Sequence, residues 1–253
     1  MFIDTHAHLQ WRNFDMDRDA VLERAIENEV SKIVNIGFDL EGSLKGVRLS
    51  EEYPQMFATV GIHPHSAKEF NKNVEEEMKS LVDKSKVIGI GEIGLDYFRN
   101  LSPQSIQREA FESQLKMAEE LDMPVIIHDR EAHQDIIRIL QEFSGKIKGV
   151  MHCFSGDYIM AQKCIEMGFY ISFAGTITYP KNIALQETAK KIDPNFMLLE
   201  TDCPWLSPQE KRGKRNEPGN IPIIAKKLAE LRNEPIELIK KITTENAQAL
   251  FGL

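Results

Sequence analysis

Two histidines separated by one residue, His6 and His8 in Phe2-Ile-Asp-Thr-His-Ala-His-Leu9, close the first apolar run of the chain. On an extended segment alternate side chains share a face, so both imidazoles point the same way and can converge on one divalent cation. Four later apolar runs also end in residue types that bind metals: Glu92 in IGIGEIGLD, His128 in PVIIHDR, His152 in KGVMHCFSG and Asp202 in FMLLETDCPW. A single such strand end is ordinary. A lone buried histidine is more often a hydrogen-bonded core residue, and an acidic residue there often caps the next turn. The set is different. Brought together without a cation, these imidazoles and carboxylates would leave like charges adjacent and buried polar groups unpaired, at a cost on the order of several kcal/mol.

The number of candidate ligands favours two ions, because a catalytic ion usually takes about three or four protein ligands and keeps a position open. One ion would take His6, His8 and Asp202, the other His128 and His152, with Glu92 bridging. Such a pair lowers the pKa of a shared water and clamps the attacking and leaving oxygens of a displacement. Glu92 and Asp202 are therefore also the catalytic candidates, Asp202 as general base. Mixed imidazole and carboxylate ligands suit Zn, Mn, Fe or Ni and admit Mg, so the identity of the two divalent cations stays open.

These residues must be positioned by the elements that precede them. Short runs rich in Ile, Val, Phe and Met fall at 2–6, 32–36, 56–61, 86–91, 124–128, 147–152, 168–173 and 196–201. They read as parallel strands covered on both faces. Helical spacing fills 15–29, 74–84, 103–122, 131–142, 158–167, 181–192, 219–231 and 235–250. The clearest is 103–122, with Pro103 at its start and an apolar stripe of Ile106, Ala110, Met117, Ala118 and Leu121. Eight such strands alternating with helices predict an α/β fold, a (β/α)8 TIM barrel, with residues 1–253 as one domain. All strand ends then meet on one face, where barrel enzymes carry their active sites. An open doubly wound sheet is second choice, since no Gly-rich phosphate fingerprint follows the first strand.

Weaker signals surround this set. His63 and His65 in GIHPH repeat the spacing, but Pro64 between them reads as a bend, making them loop residues near substrate rather than ligands. His133 reads as a surface residue of a helix. Cys153 and Cys203 follow His152 and Asp202 directly and read as space-filling thiols, with no separate base beside them. The segment after the last strand carries Lys211, Arg212, Lys214 and Arg215 against only Glu210 and Glu217. A short charge run is commonly a solvated loop. Beside a metal site it suggests an anionic substrate, with Arg130 as a further phosphate contact.

Composition narrows the setting. A net charge of −8 argues against broad affinity for duplex DNA or anionic membranes, though a local basic loop can still hold nucleic acid. No apolar run approaches the ~20 residues of a membrane span. Three cysteines without C-x-x-C spacing suit a reducing compartment, so a cytoplasmic protein is expected. Nothing demands more than a monomer.

The motifs DTHAHL, GIHPH, IGEIGLDYFR, PVIIHDREA, HCFSG, LLETDCPWL and RGKRNEPGNI run from residue 2 to about residue 250. As a set they resemble the TatD-type metal-dependent deoxyribonucleases and hydrolases, within the wider amidohydrolase-like barrels. H-x-H alone would indicate only that wider superfamily. The resemblance implies a TIM barrel that uses divalent metals to cleave phosphodiesters, several members acting as DNases from a 3′ end. It also implies that His6, His8, Glu92, His128, His152 and Asp202 occupy the family's ligand positions. Glu131, Cys203 and Trp205 stand where Asp, Ser and Tyr are frequent, which touches substrate detail only. The expected activity is a phosphodiesterase, a 3′-to-5′ DNase on single strands or frayed ends. The alternatives are an amidohydrolase acting on a small molecule or an aminoacyl-tRNA ester, and a non-enzymatic binding barrel.

Overall fold

Eight strands stand side by side in chain order, every neighbouring pair parallel: β1 (Phe2–Ala7), β2 (Val30–Asn35), β3 (Met56–Val60), β4 (Val87–Asp96), β5 (Val125–Arg130), β6 (Gly149–Met151), β7 (Phe169–Phe173) and β8 (Met197–Leu199). The computed structural model describes residues 1–253. Closure comes from the chain beyond β8, where Cys203 forms a parallel bridge with Ala7. His8 N donates to Cys203 O at 2.9 Å and Asp202 N donates to His6 O at 2.8 Å. The result is a nearly closed parallel barrel with helices around it, as the alternating pattern predicts.

The helices are α1 (Arg18–Glu27), α2 (Leu40–Glu52), α3 (Lys72–Val82), α4 (Gln104–Glu120), α5 (His133–Glu142), α6 (Tyr158–Glu166), α7 (Ile183–Lys191), α8 (Ile221–Arg232) and α9 (Ile236–Phe251). In α4 the buried face includes Ala110, Phe111, Leu115, Met117 and Ala118, which seals the helix against the barrel by apolar burial. One helix escapes the sequence pattern. α2 buries Gly42, Ser43, Gly46 and Ser50 beside Val47 and Leu49, so its inner face is small rather than apolar. The reason is close approach: a Cβ on Gly46 would meet the Asn35 side chain at 2.8 Å. Asp39 starts this helix by accepting from Gly42 N at 2.6 Å.

Three strand ends differ from expectation in a way that matters for the site. β4 runs on to Asp96, so Glu92 lies inside the strand rather than at its end. β6 and β8 stop early, leaving His152 and Asp202 just beyond the ladder. There Cys153 (φ 42°) and Asp202 (φ 55°) take left-handed backbone, which costs non-glycine residues energy and clusters at functional sites. A large apolar cluster packs strands against helices. A smaller one brings Ile3, Val34, Ile126, Val150 and Leu198 together with Ala247, Leu250 and Phe251 of α9.

Candidate metal centre

All six predicted ligands meet at the C-terminal mouth of the barrel, and Glu92 sits at their centre. Its Oε2 lies 3.5 Å from His6 Nε2 and 3.7 Å from His8 Nε2. Its Oε1 lies 2.7 Å from His128 Nδ1 and 3.3 Å from His152 Nε2. The two oxygens of one carboxylate thus face two different histidine pairs. Asp202 Oδ1 stands 3.6 Å from His6 Nε2 and 3.5 Å from His8 Nε2, on the side of the first pair. His6 and His152 stack with ring centroids 3.7 Å apart, joining the two halves. His6, His8, Glu92 and His152 are buried, while the Asp202 and His128 side chains keep 14% and 15% of their surface exposed. Approach from solvent is therefore past these two.

The donor atoms fit divalent cations. His6 Nε2 and His8 Nε2 face each other at 3.1 Å, and His6 Nδ1 is buried with no partner at all. Ligands at ~2.0–2.2 Å from a tetrahedral ion stand roughly 3.3–3.6 Å apart, close to the spacings found here. Three groups bring their ligand atoms within 4.8 Å of one another: His6, His8 and Glu92; His6, His152 and Asp202; and His63, Glu92 and His128.

Burial alone would push the Glu92 carboxyl up, but the charges of His152 and His63 and hydrogen bonds from His128 and His152 hold it well below the usual range. Asp202 is likewise raised by burial and more strongly lowered by its His8 hydrogen bond and the neighbouring histidines, so it is held as a carboxylate. Burial depresses His6, helped by the charge of His152. For His152 burial works downward and is outweighed by Glu200 and Glu92, which raise it well above the ordinary histidine value.

Three residues join the site that spacing alone did not single out as part of it. Glu200, fully buried, directs Oε1 at His152 Nδ1 (3.0 Å) and accepts from Cys153 N at 2.6 Å. Asp96, at the end of β4, directs Oδ2 at His128 Nε2 (3.2 Å) and His65 Nε2 (2.8 Å). His63 reaches further in than a loop position suggests, its Nε2 3.5 Å from Glu92 Oε1. Pro64 does turn the chain here. It opens a short 3-10 turn that leaves His63 extended at the cap, its Nδ1 accepting from His65 N. Burial and the charge of His128 push His63 down to about 4. The recognisable signal was H-x-H after a strand; for Glu200 there was none beyond a polar residue two places before Asp202.

The surrounding residues sort into participants and bystanders. Burial pushes Cys153 up to about 12 and Cys203 well above the ordinary thiol value, so both stay protonated and fill space. His133 begins α5 and turns Nδ1 to Asp129 Oδ2 at 2.8 Å, away from the cluster. Lys86 precedes β4 and donates to Tyr53 O (2.9 Å) and Pro54 O (3.1 Å), so it offers no amine at the mouth.

In the basic loop the four cations have different fates. Arg215 makes a bidentate pair with Asp17 at 2.9 and 2.6 Å, donates to Asn13 O and covers the Phe14 ring. It is a tie to the chain before α1. Arg212 lies 4.8 Å over the Tyr179 ring, and Arg130, exposed, lies 4.2 Å over Phe98. Lys214 is exposed and Lys211 half-buried, and neither is ion-paired.

The sequence profile of the family described as TatD related DNase matches residues 3–252. The chain belongs to that family. It is 41% identical over 254 residues to YabD of Bacillus subtilis, described as an uncharacterized metal-dependent hydrolase, each chain covered over 100% of its length. It is 36% identical over 256 residues to the 3′-5′ ssDNA/RNA exonuclease TatD of Citrobacter rodentium, covering 99% of this chain and 97% of that one. Among solved structures it is similar to YjjV, a TatD homologue from Escherichia coli K12, with a TM-score of 0.95, 32% identity and coverage of 100% and 98%. This member of the TatD-related family is a metal-dependent hydrolase, and no helix in it is long and apolar enough to cross a membrane.

Proposed function

We propose that this TatD-related hydrolase is a 3′-to-5′ exonuclease on single-stranded or frayed nucleic acid, working with two divalent cations. His6, His8 and Asp202 would hold one ion and His128 and His152 the other, with Glu92 between the two groups. The observation that carries this reading is the two-sided Glu92 carboxylate, Oε2 toward His6 and His8 and Oε1 toward His128 and His152. A carboxylate with one oxygen toward each group of ligands is what a bridge between two ions needs. The resemblance to relatives described as 3′-5′ ssDNA/RNA exonucleases supports the substrate class.

A bound pair of divalent ions supplies a nucleophilic water near neutral pH and neutralises charge building on the phosphate. The chain's own residues do the rest. Asp202, ionised and partly open to solvent, accepts the proton of the attacking water at a carboxylate oxygen. Glu200 and Asp96 orient His152 and His128. Lys211, Arg212, Lys214 and Arg130 attract the phosphate chain, a role that suits an acidic protein with a local basic rim. Residues 1–253 act as one catalytic domain and as a monomer, in the cytoplasm.

The test is cleavage of a 5′-labelled single-stranded DNA by chelator-stripped protein, with and without Mg²⁺, Mn²⁺ or Zn²⁺, beside Asp202→Ala purified identically. A metal-dependent ladder shortening from the 3′ end, absent in the variant, is the expected result. No cleavage with any metal would sink the nuclease and leave an ester or amide hydrolase to be sought.

A further inference from the structure

The metal mouth has an aromatic edge that the phosphate chemistry does not use. Trp205 is 44% exposed, unusual for so large an apolar ring, and it stands directly against the site. Its ring centroid is 5.3 Å from that of His8 at 66°, and 5.5 Å from that of Trp11 at 64°. Phe38 completes the group, 5.3 Å from Trp11 and 5.6 Å from His8. Trp11 and Phe38 are half-buried, with Trp11 packed against the core; Trp205 is the member that meets solvent. Its position is fixed by the backbone, because Trp205 N donates to Asp202 O at 3.0 Å. One short turn therefore carries both a candidate ligand and an exposed indole.

An indole edge-on to two neighbours and open over nearly half its surface offers a flat apolar face to an incoming ring. The open face adjoins a group of residues built to act on a phosphodiester, and in a single strand the neighbouring flat group is an unstacked base. Aromatic faces hold such bases without regard to sequence. The basic residues of the following loop lie on the same stretch of chain, with Arg212 already stacked on Tyr179. Backbone and base would thus be met by one continuous segment, Asp202 to Lys214.

We propose that Trp205, supported by Trp11 and Phe38, is a stacking subsite for the 3′-terminal nucleobase of a single-stranded nucleic acid. The proposal rests on the exonuclease reading and adds what that reading lacks, a reason for the single-stranded preference: a paired base cannot leave its stack to lie on the indole.

The test compares metal-loaded wild type, Trp205→Ala and Trp205→Phe on two 5′-labelled oligonucleotides, one intact and one abasic at its 3′-terminal nucleotide. The wild type should favour the intact substrate by about tenfold or more in kcat/KM, mostly through KM, as expected for loss of one stacked base. In Trp205→Ala that preference should collapse toward one, and Trp205→Phe should restore most of it. A collapse confined to Ala cannot come from general misfolding, which would slow both substrates alike. Equal preference in wild type and Trp205→Ala overturns the subsite while leaving the exonuclease standing. No cleavage by the wild type with any metal overturns both.

Discussion

Glu200 turns His152 toward Glu92. Its Oε1 lies 3.0 Å from Nδ1 of the imidazole, which leaves Nε2 aimed at Glu92 Oε1 3.3 Å away. A carboxylate behind a ligating histidine sets the tautomer and raises its basicity, and losing such a partner typically costs ~10–100-fold in metal affinity or activity. Glu200→Ala should lose that much, read as bound metal per chain and as cleavage rate. Glu200→Gln keeps an oxygen acceptor and should recover part of the loss. If both variants bind metal and cleave like wild type, Glu200 is only filling the core.

Glu92→Ala should be far more severe. The one carboxylate that faces both histidine pairs disappears, and the cleavage rate should fall by at least about a hundredfold. The barrel is held by strand pairing and apolar burial elsewhere, so far-ultraviolet circular dichroism should stay native. Wild-type rates in Glu92→Ala would refute a bridging role.

Arg215 and Lys214 should separate cleanly. Arg215→Ala breaks the bidentate pair with Asp17, a half-exposed ion pair worth about 0.5–1 kcal/mol. The melting temperature should drop by ~1–4 °C, with KM hardly changed. Lys214→Ala should leave the melting temperature alone, raise KM and flatten its dependence on salt.

The same pair gives a pH signature. The Arg215 hydrogen bond holds the Asp17 carboxyl below the usual range. A depressed carboxylate contributes stability that is fully present above its unfolded pKa and is lost as pH falls through the folded one. The deficit of Arg215→Ala should therefore be full at pH 7 and fade below about pH 4. A deficit that persists at pH 2.5 would mean that Arg215 acts through packing on Phe14 instead.

Adding Mn²⁺ or Zn²⁺ to chelator-stripped protein should raise the melting temperature, since an ion that binds only the folded state stabilises it. Titration calorimetry should reach two ions per chain in wild type and fewer in Glu92→Ala. Saturation at one ion in the wild type would retire the binuclear reading.

Much of this was legible in the sequence, for physical reasons. Buried parallel strands write themselves as apolar runs, and five of those runs end at or near residues that converge here. What stayed hidden depends on partners distant in sequence. Glu200 matters because β8 lies near enough to β6 for its carboxylate to reach His152, 48 positions away. Arg215 looked like a free cation until Asp17, 198 positions away, claimed it. α2 was invisible because a helix pressed close to its sheet buries glycine and serine, and these leave no apolar period. His63 comes within 3.5 Å of Glu92 because Pro64, with its fixed φ, starts a turn after it and leaves it extended.

The seam between Ala7 and Cys203 has a temporal consequence. His6 and His8 are made almost two hundred residues before Asp202 and the backbone that locks it to His6, and before Thr201, which bonds Asp4 across 197 positions. Pairing this far apart is slow and comes late in folding. An unfinished chain therefore carries histidines without their closing carboxylate. The candidate metal centre is in this way completed only when the last strand end has closed on the first.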